Sequence, residues 1–224
     1  MRNSELLRFK IQLASAELAK NLDKLWDSPD VTRLFPEFLI LMHQVIRASV
    51  PLMENARAKT MNSSDALSNN LTLYFDEHVR EEEDHDEWTL QDLETAGFDR
   101  AEITSRMPSH NVAALVGSQY YWINHYHPVT LLGYIAVLEG SANGSTHIRE
   151  LMERVELPSS IFRTYLMHSE VDVDHKDELY HAIDDLPLEE SHISAIGMNG
   201  IYTAACLGRC VSDILNPGHS TQLN

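Results

Sequence analysis

The chain has 224 residues, with 17 Lys+Arg against 34 Asp+Glu for a formal charge of −17. That length suits one domain able to bury a sizeable core without covalent staples. The acidic excess excludes a phosphate-binding groove for nucleic acid and adsorption to an anionic membrane face. Two cysteines, Cys206 and Cys210, cannot form a disulfide scaffold, which points to a reducing compartment. Histidine is abundant instead, at 12 residues. Imidazoles beside carboxylates are the donors that hard and borderline metals take. The first residues run into interspersed charges with no apolar segment and cleavage site of the secretory kind. The longest apolar run, Val129 to Leu138, is too short to cross a bilayer. A soluble, cytoplasmic chain with no membrane or nucleic-acid partner is the expectation.

Apolar residues recur at three- and four-residue steps throughout, and no segment sustains strand-type alternation. The first predicted helix runs from Ser4 to about Trp26 and ends at Ser28-Pro29-Asp30. The second runs from Asp30 to Lys59, with Pro51 expected to kink or divide it. Ser63-Ser64-Asp65 should cap a third that continues to Thr95 and stops at Gly97. Pro108-Ser109-His110 opens a fourth reaching Glu139-Gly140, bent at Pro128. A short helix follows from Asn143 to Val155. Another runs from Ser159 or Ser160 to about Asp185, and a last one starts at Pro187 and ends before Asn216-Pro217-Gly218. No repeat or flexible linker interrupts the series. Residues 1–224 therefore read as a single all-α domain, a compact helical bundle.

Three of these helices carry chemistry. His168, Asp172 and His175 form an H-x-x-x-D-x-x-H pattern, which on a helix occupies a stripe about 60° wide. Ile161, Thr164, Tyr165, Leu179 and Ala182 share the stripe, so it faces the core. On the third predicted helix, His78, Glu82 and His85 align with Leu71, Tyr74 and Phe75. Glu82-x-x-His85 is the device by which helical bundles build carboxylate-bridged di-iron sites. Glu81 lies about as close to the His85 direction, so periodicity does not choose between Glu81 and Glu82. The third piece is Glu139, which ends the apolar run on a stripe with Leu132, Ile135 and Ala136. A buried carboxylate needs a partner, and a metal would satisfy it. The bland alternatives are satisfied core histidines, a solvated acidic face and a glutamate at a frayed helix end. Together, three imidazoles and three carboxylates suit two non-haem irons.

With those residues in view, the chain resembles the haem-oxygenase-like di-iron oxidases, iron-containing redox enzymes of the TenA/PqqC-type superfamily. The likeness covers about residues 65 to 215 in three blocks. The first is Glu81-Glu82-x-x-His85-Asp86-Glu87-Trp88 with Asp92-Leu93-Glu94. The second joins Val116 to Ile123, His127-Pro128 and Leu132-Gly133-Tyr134 to Leu138-Glu139-Gly140. The third is His168-x-x-x-Asp172-x-x-His175.

The resemblance implies a haem-oxygenase-like (TenA-like) bundle that often dimerises. It implies metal ligands Glu82, His85, Glu139, His168, Asp172 and His175, with Glu81 and His78 as alternates. It further implies two non-haem iron ions, O2 as co-substrate, and oxidation of a small organic substrate at C–H or N, or oxidative C–C cleavage. The catalytic residues and the substrate are not specified by it. Tyr120, Tyr121, Trp122, His125 and Tyr126 are candidates to line the pocket, or else to pack as an aromatic core. The remaining histidines, His43, His110, His127, His147, His181, His192 and His219, are expected at the surface or at helix ends.

Other readings of the same fold exist. A metal-free TenA-like hydrolase uses a cysteine nucleophile, whereas Cys206 and Cys210 lie near the C-terminal end. A haem oxygenase needs one axial histidine and a glycine-flexed helix, which Gly197-Met198-Asn199-Gly200 echoes. A non-catalytic metal- or ligand-binding bundle shares every feature above.

Overall fold

The computed structural model describes the backbone of residues 1–140 and 145–217, and the side chains of 1–140, 148–168 and 176–217. Its helices are α1 (Asn3–Ala14), α2 (Ala16–Trp26), α3 (Val31–Ile46), α4 (Ser49–Met61), α5 (Ser68–Glu82) and α6 (His85–Thr95). They continue as α7 (Arg100–Ser105), α8 (His110–His125), α9 (Leu131–Gly140), α10 (Ser145–Arg154), α11 (Arg163–Asp185) and α12 (Glu190–Leu215). Short 3₁₀ turns at Pro128–Thr130 and Ser159–Phe162 lead into α9 and α11. The described residues contain no strand.

Four predicted helices are divided, each for a local reason. Ser15 separates α1 from α2, its hydroxyl donating to the Ile11 carbonyl at 2.8 Å in competition with the helix backbone. The long second helix breaks at Arg47 and Ala48, so Pro51 falls in the first turn of α4, where a missing N–H costs nothing. The third breaks between Glu82 and His85, with Asp84 in the left-handed region at φ 69°. The acidic run Glu81 to Asp84 repels itself along a helix, and aspartate tolerates that backbone better than most residues. The fourth breaks at Tyr126 and His127, and the His127 Nδ1 accepts from the Val129 N–H at 3.1 Å to start the turn at Pro128. Ser109 caps α8 as its sequence suggests, accepting from the Val112 N–H at 3.2 Å. The predicted start of α10 at Asn143 lies outside the described residues.

The apolar run that is too short to span a membrane forms α9, buried on all sides from Leu131 to Val137. No described helix is long and apolar enough to cross a membrane. The 26-residue α12 crosses α9 at a point with no room for side chains. A Cβ on Gly133 would overlap the Ile196 carbonyl and lie 2.8 Å from the Gly200 nitrogen. Gly200 is part of the same close approach, a Cβ there lying 3.2 Å from the Gly133 carbonyl, whereas at Gly197 it would meet only the Lys10 side chain. Beneath this crossing, the Asn199 amide donates to the Gln119 side chain and the Thr130 carbonyl, both at 2.7 Å. These buried amides satisfy one another, as burial requires.

Two carboxylates fasten α11 at its ends. Asp92 of α6 accepts the Thr164 N–H at 2.7 Å in the first turn of α11. Asp184 in its last turn accepts the Ser4 N–H at 2.9 Å and the Ser4 hydroxyl at 2.7 Å, capping α1. An aromatic cluster completes the seating. Phe35 stacks on Phe162 with centroids 4.3 Å apart, and Trp26 meets Phe38 edge-on at 4.8 Å.

Candidate metal centre

The end of α5, the start of α6, the end of α9 and the second turn of α11 converge on one cluster of polar side chains. The helix break at Asp84 turns His85 back, and its Nδ1 lies 3.1 Å from Glu82 Oε2. One turn earlier on α5, His78 bridges two carboxylates, with Nδ1 3.3 Å from Glu81 and Nε2 2.7 Å from Glu139. His168 meets the His85 ring edge-on, with centroids 4.7 Å apart. His78, His85 and Glu139 are buried, and His168 is half-buried. Thus His78, Glu82, His85, Glu139 and His168 are brought together from three regions of the sequence. Asp172 and His175 follow on α11, and their side chains lie outside the described residues.

The charges in this cluster are mutually compensated. Burial would strip His78 of its proton, yet the hydrogen bond to Glu139 and the charges of Glu139, Glu82 and Glu81 hold its pKa above the ordinary value. Glu82 is treated likewise: burial pushes its carboxyl up, and the His85 hydrogen bond with the neighbouring imidazoles brings it below its ordinary value. Tyr74 stacks on His78, with centroids 5.4 Å apart and planes 17° from parallel. Burial, and then the Glu139 charge, push the Tyr74 hydroxyl well above its usual range. Among the described residues, no three of these side chains meet as a metal-binding group. Imidazoles and carboxylates pair with each other instead. The donor set nevertheless fits iron: buried nitrogen and carboxylate oxygen donors, with no thiolate among them.

The cluster forms the polar end of a cavity of about 150 Å³. His78, Glu82, Glu139 and His168 line it together with Ser49, Thr89 and Thr164. The rest of its wall is aliphatic or aromatic, from Leu18 and Leu22 of α2 to Leu207 and Val211 of α12. The aromatic group predicted near the second ligand helix is elsewhere. Tyr120, Tyr121 and Tyr126 are exposed, and none of them, nor Trp122 or His125, lines the cavity. They sit on the outward face of α8 and beyond its end, and the inward face presents Leu115, Gln119 and Ile123. His125 lies beside Tyr121, with ring centroids 4.9 Å apart and planes tilted by 36°.

One further histidine departs from expectation. His43, expected at the surface, is buried on α3, because its position falls among Leu39, Ile40 and Val45 on a helix apolar nearly all round. His127, at a helix end as expected, also holds Asp65 at 3.2 Å. His110 and His181 are exposed, and the His147 side chain and His219 lie outside the described residues. The buried cap Asp92 escaped sequence reasoning as a functional position. Its one signal was an acidic residue at a core-facing position, one turn after Thr89. Cys206 and Cys210 are buried in α12 and do not line the cavity.

Comparison with solved structures bears out the all-α fold. A domain of unknown function with a haem oxygenase-like fold from Shewanella denitrificans superposes with a TM-score of 0.80 at 16% identity, covering 98% of this chain and 94% of that one. A TenA homologue from Pseudomonas syringae gives 0.75 at 10% identity, covering 94% and 91%. A CADD-like protein of unknown function from Nostoc punctiforme gives 0.69 at 14% identity, covering 95% and 98%. No curated protein matches the sequence. The profile of the iron-containing redox enzymes matches residues 35–208, and the chain belongs to that family.

Proposed function

We propose that this protein is a non-haem di-iron, O2-dependent oxidase or oxygenase of a small organic substrate, acting at a C–H bond or a nitrogen, with oxidative C–C cleavage as a further outcome. The observation that carries the reading is the convergence of Glu82, Glu139 and His168 at the polar end of an apolar cavity, with His85 against Glu82 and His168. In this reading those four residues, with Asp172 and His175, hold the metal, and Glu81 and His78 are the alternates. Bound iron supplies the O2 and redox chemistry that no protein side chain provides.

The chain's own contributions follow from its geometry. Glu82 and Glu139 bring negative charge into a largely buried site, where it attracts a cation more strongly than in bulk water. His78 keeps the Glu139 carboxylate aimed by a 2.7 Å contact and carries a proton between Glu81 and Glu139 while no cation is there. Metal entry competes with that proton, as metal ligation does generally. The largely apolar wall makes the surroundings of the polar end less polar than water. Because no cysteine lines the cavity, the cysteine-dependent hydrolase reading has no nucleophile there.

Metal analysis of protein loaded anaerobically with Fe(II), followed by optical spectra on exposure to O2, tests the proposal. The expected result is about two irons per chain, falling sharply in His168→Ala and Glu139→Ala. Iron content unchanged in both variants would overturn the site assignment.

A further inference from the structure

Thr164 stands in the first turn of α11 and is only 4% exposed. Its backbone N–H is committed, donated to the Asp92 carboxylate at 2.7 Å. Its hydroxyl oxygen is buried and has no hydrogen-bond partner among the described residues. A buried hydroxyl left unpaired lowers stability, whereas valine fills about the same volume without that penalty. Most buried polar groups find a partner within the protein, so an exception of this kind points to one from outside it. The residue is placed to meet such a partner, because it lines the cavity with Glu82, Thr89 and His168.

His168 follows Thr164 by four residues on α11, a spacing that stacks side chains on one helix face about 5–6 Å apart. Thr89 holds the matching place on α6, four residues after His85. Its hydroxyl already donates to the His85 carbonyl at 3.1 Å, so it can only accept from a further partner. Thr164 keeps its proton to donate. Glu82 and Glu139 repel a small ligand rich in lone pairs, and a donated hydrogen bond offsets that repulsion. We propose that Thr164 is a positioning residue of the candidate metal centre, its hydroxyl donating to a small ligand of the O2 or azide kind seated beside His168. The inference rests on the di-iron reading above and deepens it, since iron is what holds such a ligand there.

Two measurements on Thr164→Val and Thr164→Ser test the proposal. In the metal-free protein, Thr164→Val should leave the melting temperature unchanged or raise it by roughly 2–4 °C, as an unpaired hydroxyl predicts. In protein loaded with Fe(II) and then oxidised, azide titration followed by optical and infrared spectra reads the ligand directly. Thr164→Val should weaken azide about tenfold at equal iron content, and Thr164→Ser should restore it to within about twofold. The azide stretch should shift in D2O in the wild type and the serine variant, and stay fixed in the valine variant. A melting temperature lowered by Thr164→Val would place the hydroxyl's partner inside the protein and overturn the proposal. Azide binding equal in all three proteins, or serine as weak as valine, would overturn it as well. A wild-type chain that takes up no iron sinks the di-iron reading together with this one, whereas iron bound with azide indifferent to Thr164 sinks this one alone.

Discussion

The Asp92 carboxylate of α6 accepts the Thr164 N–H at 2.7 Å and meets Arg163 at 3.0 Å, so α11 begins on a cap supplied by another helix. Seven residues before Asp92 stands His85, and four residues after Thr164 stands His168. The two imidazoles that touch edge-on are therefore tied by one buried hydrogen bond. Asp92→Ala leaves that N–H unpaired and should cost about 2 kcal/mol, lowering the melting temperature by roughly 4–8 °C. Differential scanning calorimetry measures it, and a shift under 1 °C would show the cap to be replaceable by water.

His78 and Glu139 form a buried pair at 2.7 Å. Removing one partner takes a buried charge-assisted contact from the other, so His78→Leu should destabilise the metal-free protein by about 1.5–3 kcal/mol. The double change His78→Leu with Glu139→Leu should recover most of that loss, since two apolar groups replace the pair. Urea titration of the four proteins gives the coupling. Additive effects would mean that the pair carries no specific interaction.

Gly133 packs against the backbone of α12 with no space for a methyl group. Gly133→Ala must push α9 from α12, at a cost of about 1–3 kcal/mol. Gly117 is a fair control on α8, because nothing lies within 4 Å of a Cβ added there. Gly117→Ala is expected to stabilise slightly through helix propensity. Thermal unfolding of both variants distinguishes crowding from a general intolerance of alanine.

His43 is held neutral, first by burial and then by Arg47, its pKa lying below the ordinary 6.5. The unfolded chain therefore takes up a proton at His43 before the native one does. Its contribution to stability is complete above pH 6.5 and is lost as pH falls from there through the lowered native value. In His43→Leu the melting temperature should fall less between pH 7 and pH 5.5 than in the wild type. Parallel pH profiles would show that His43 does not titrate on unfolding.

The helical class and the core face of each helix were legible because periodicity at 3.6 residues survives any packing arrangement. Ile161, Thr164 and Leu179, read as core from spacing, are all buried. Glu139 was legible for the same reason, as an acid at the end of an apolar stripe. The breaks at Ser15 and Glu83-Asp84 were not, since neither is marked by glycine or proline, and the division anticipated at Pro51 falls instead at Arg47 and Ala48. They arise from side-chain competition, charge crowding and tertiary seating that local propensity does not contain. His43 was misjudged for a related reason: a lone imidazole in an apolar helix looks the same to a spacing argument whether it points in or out. Asp92 acts across 72 residues of sequence, and no local pattern announces such a cap.

The turn at Asp84 has a mechanical meaning. On an unbroken helix, the distance between the Glu82 and His85 side chains would be a constant of helical pitch. With the helix interrupted, that distance is an adjustable dimension governed by how α6 rests on α3 and α11. Changes under α6, at Leu90 or Leu93, can therefore widen or narrow the space between the two donors while α5 stays in place. The proposed metal centre would thus be tuned from the far side of the helix that carries His85.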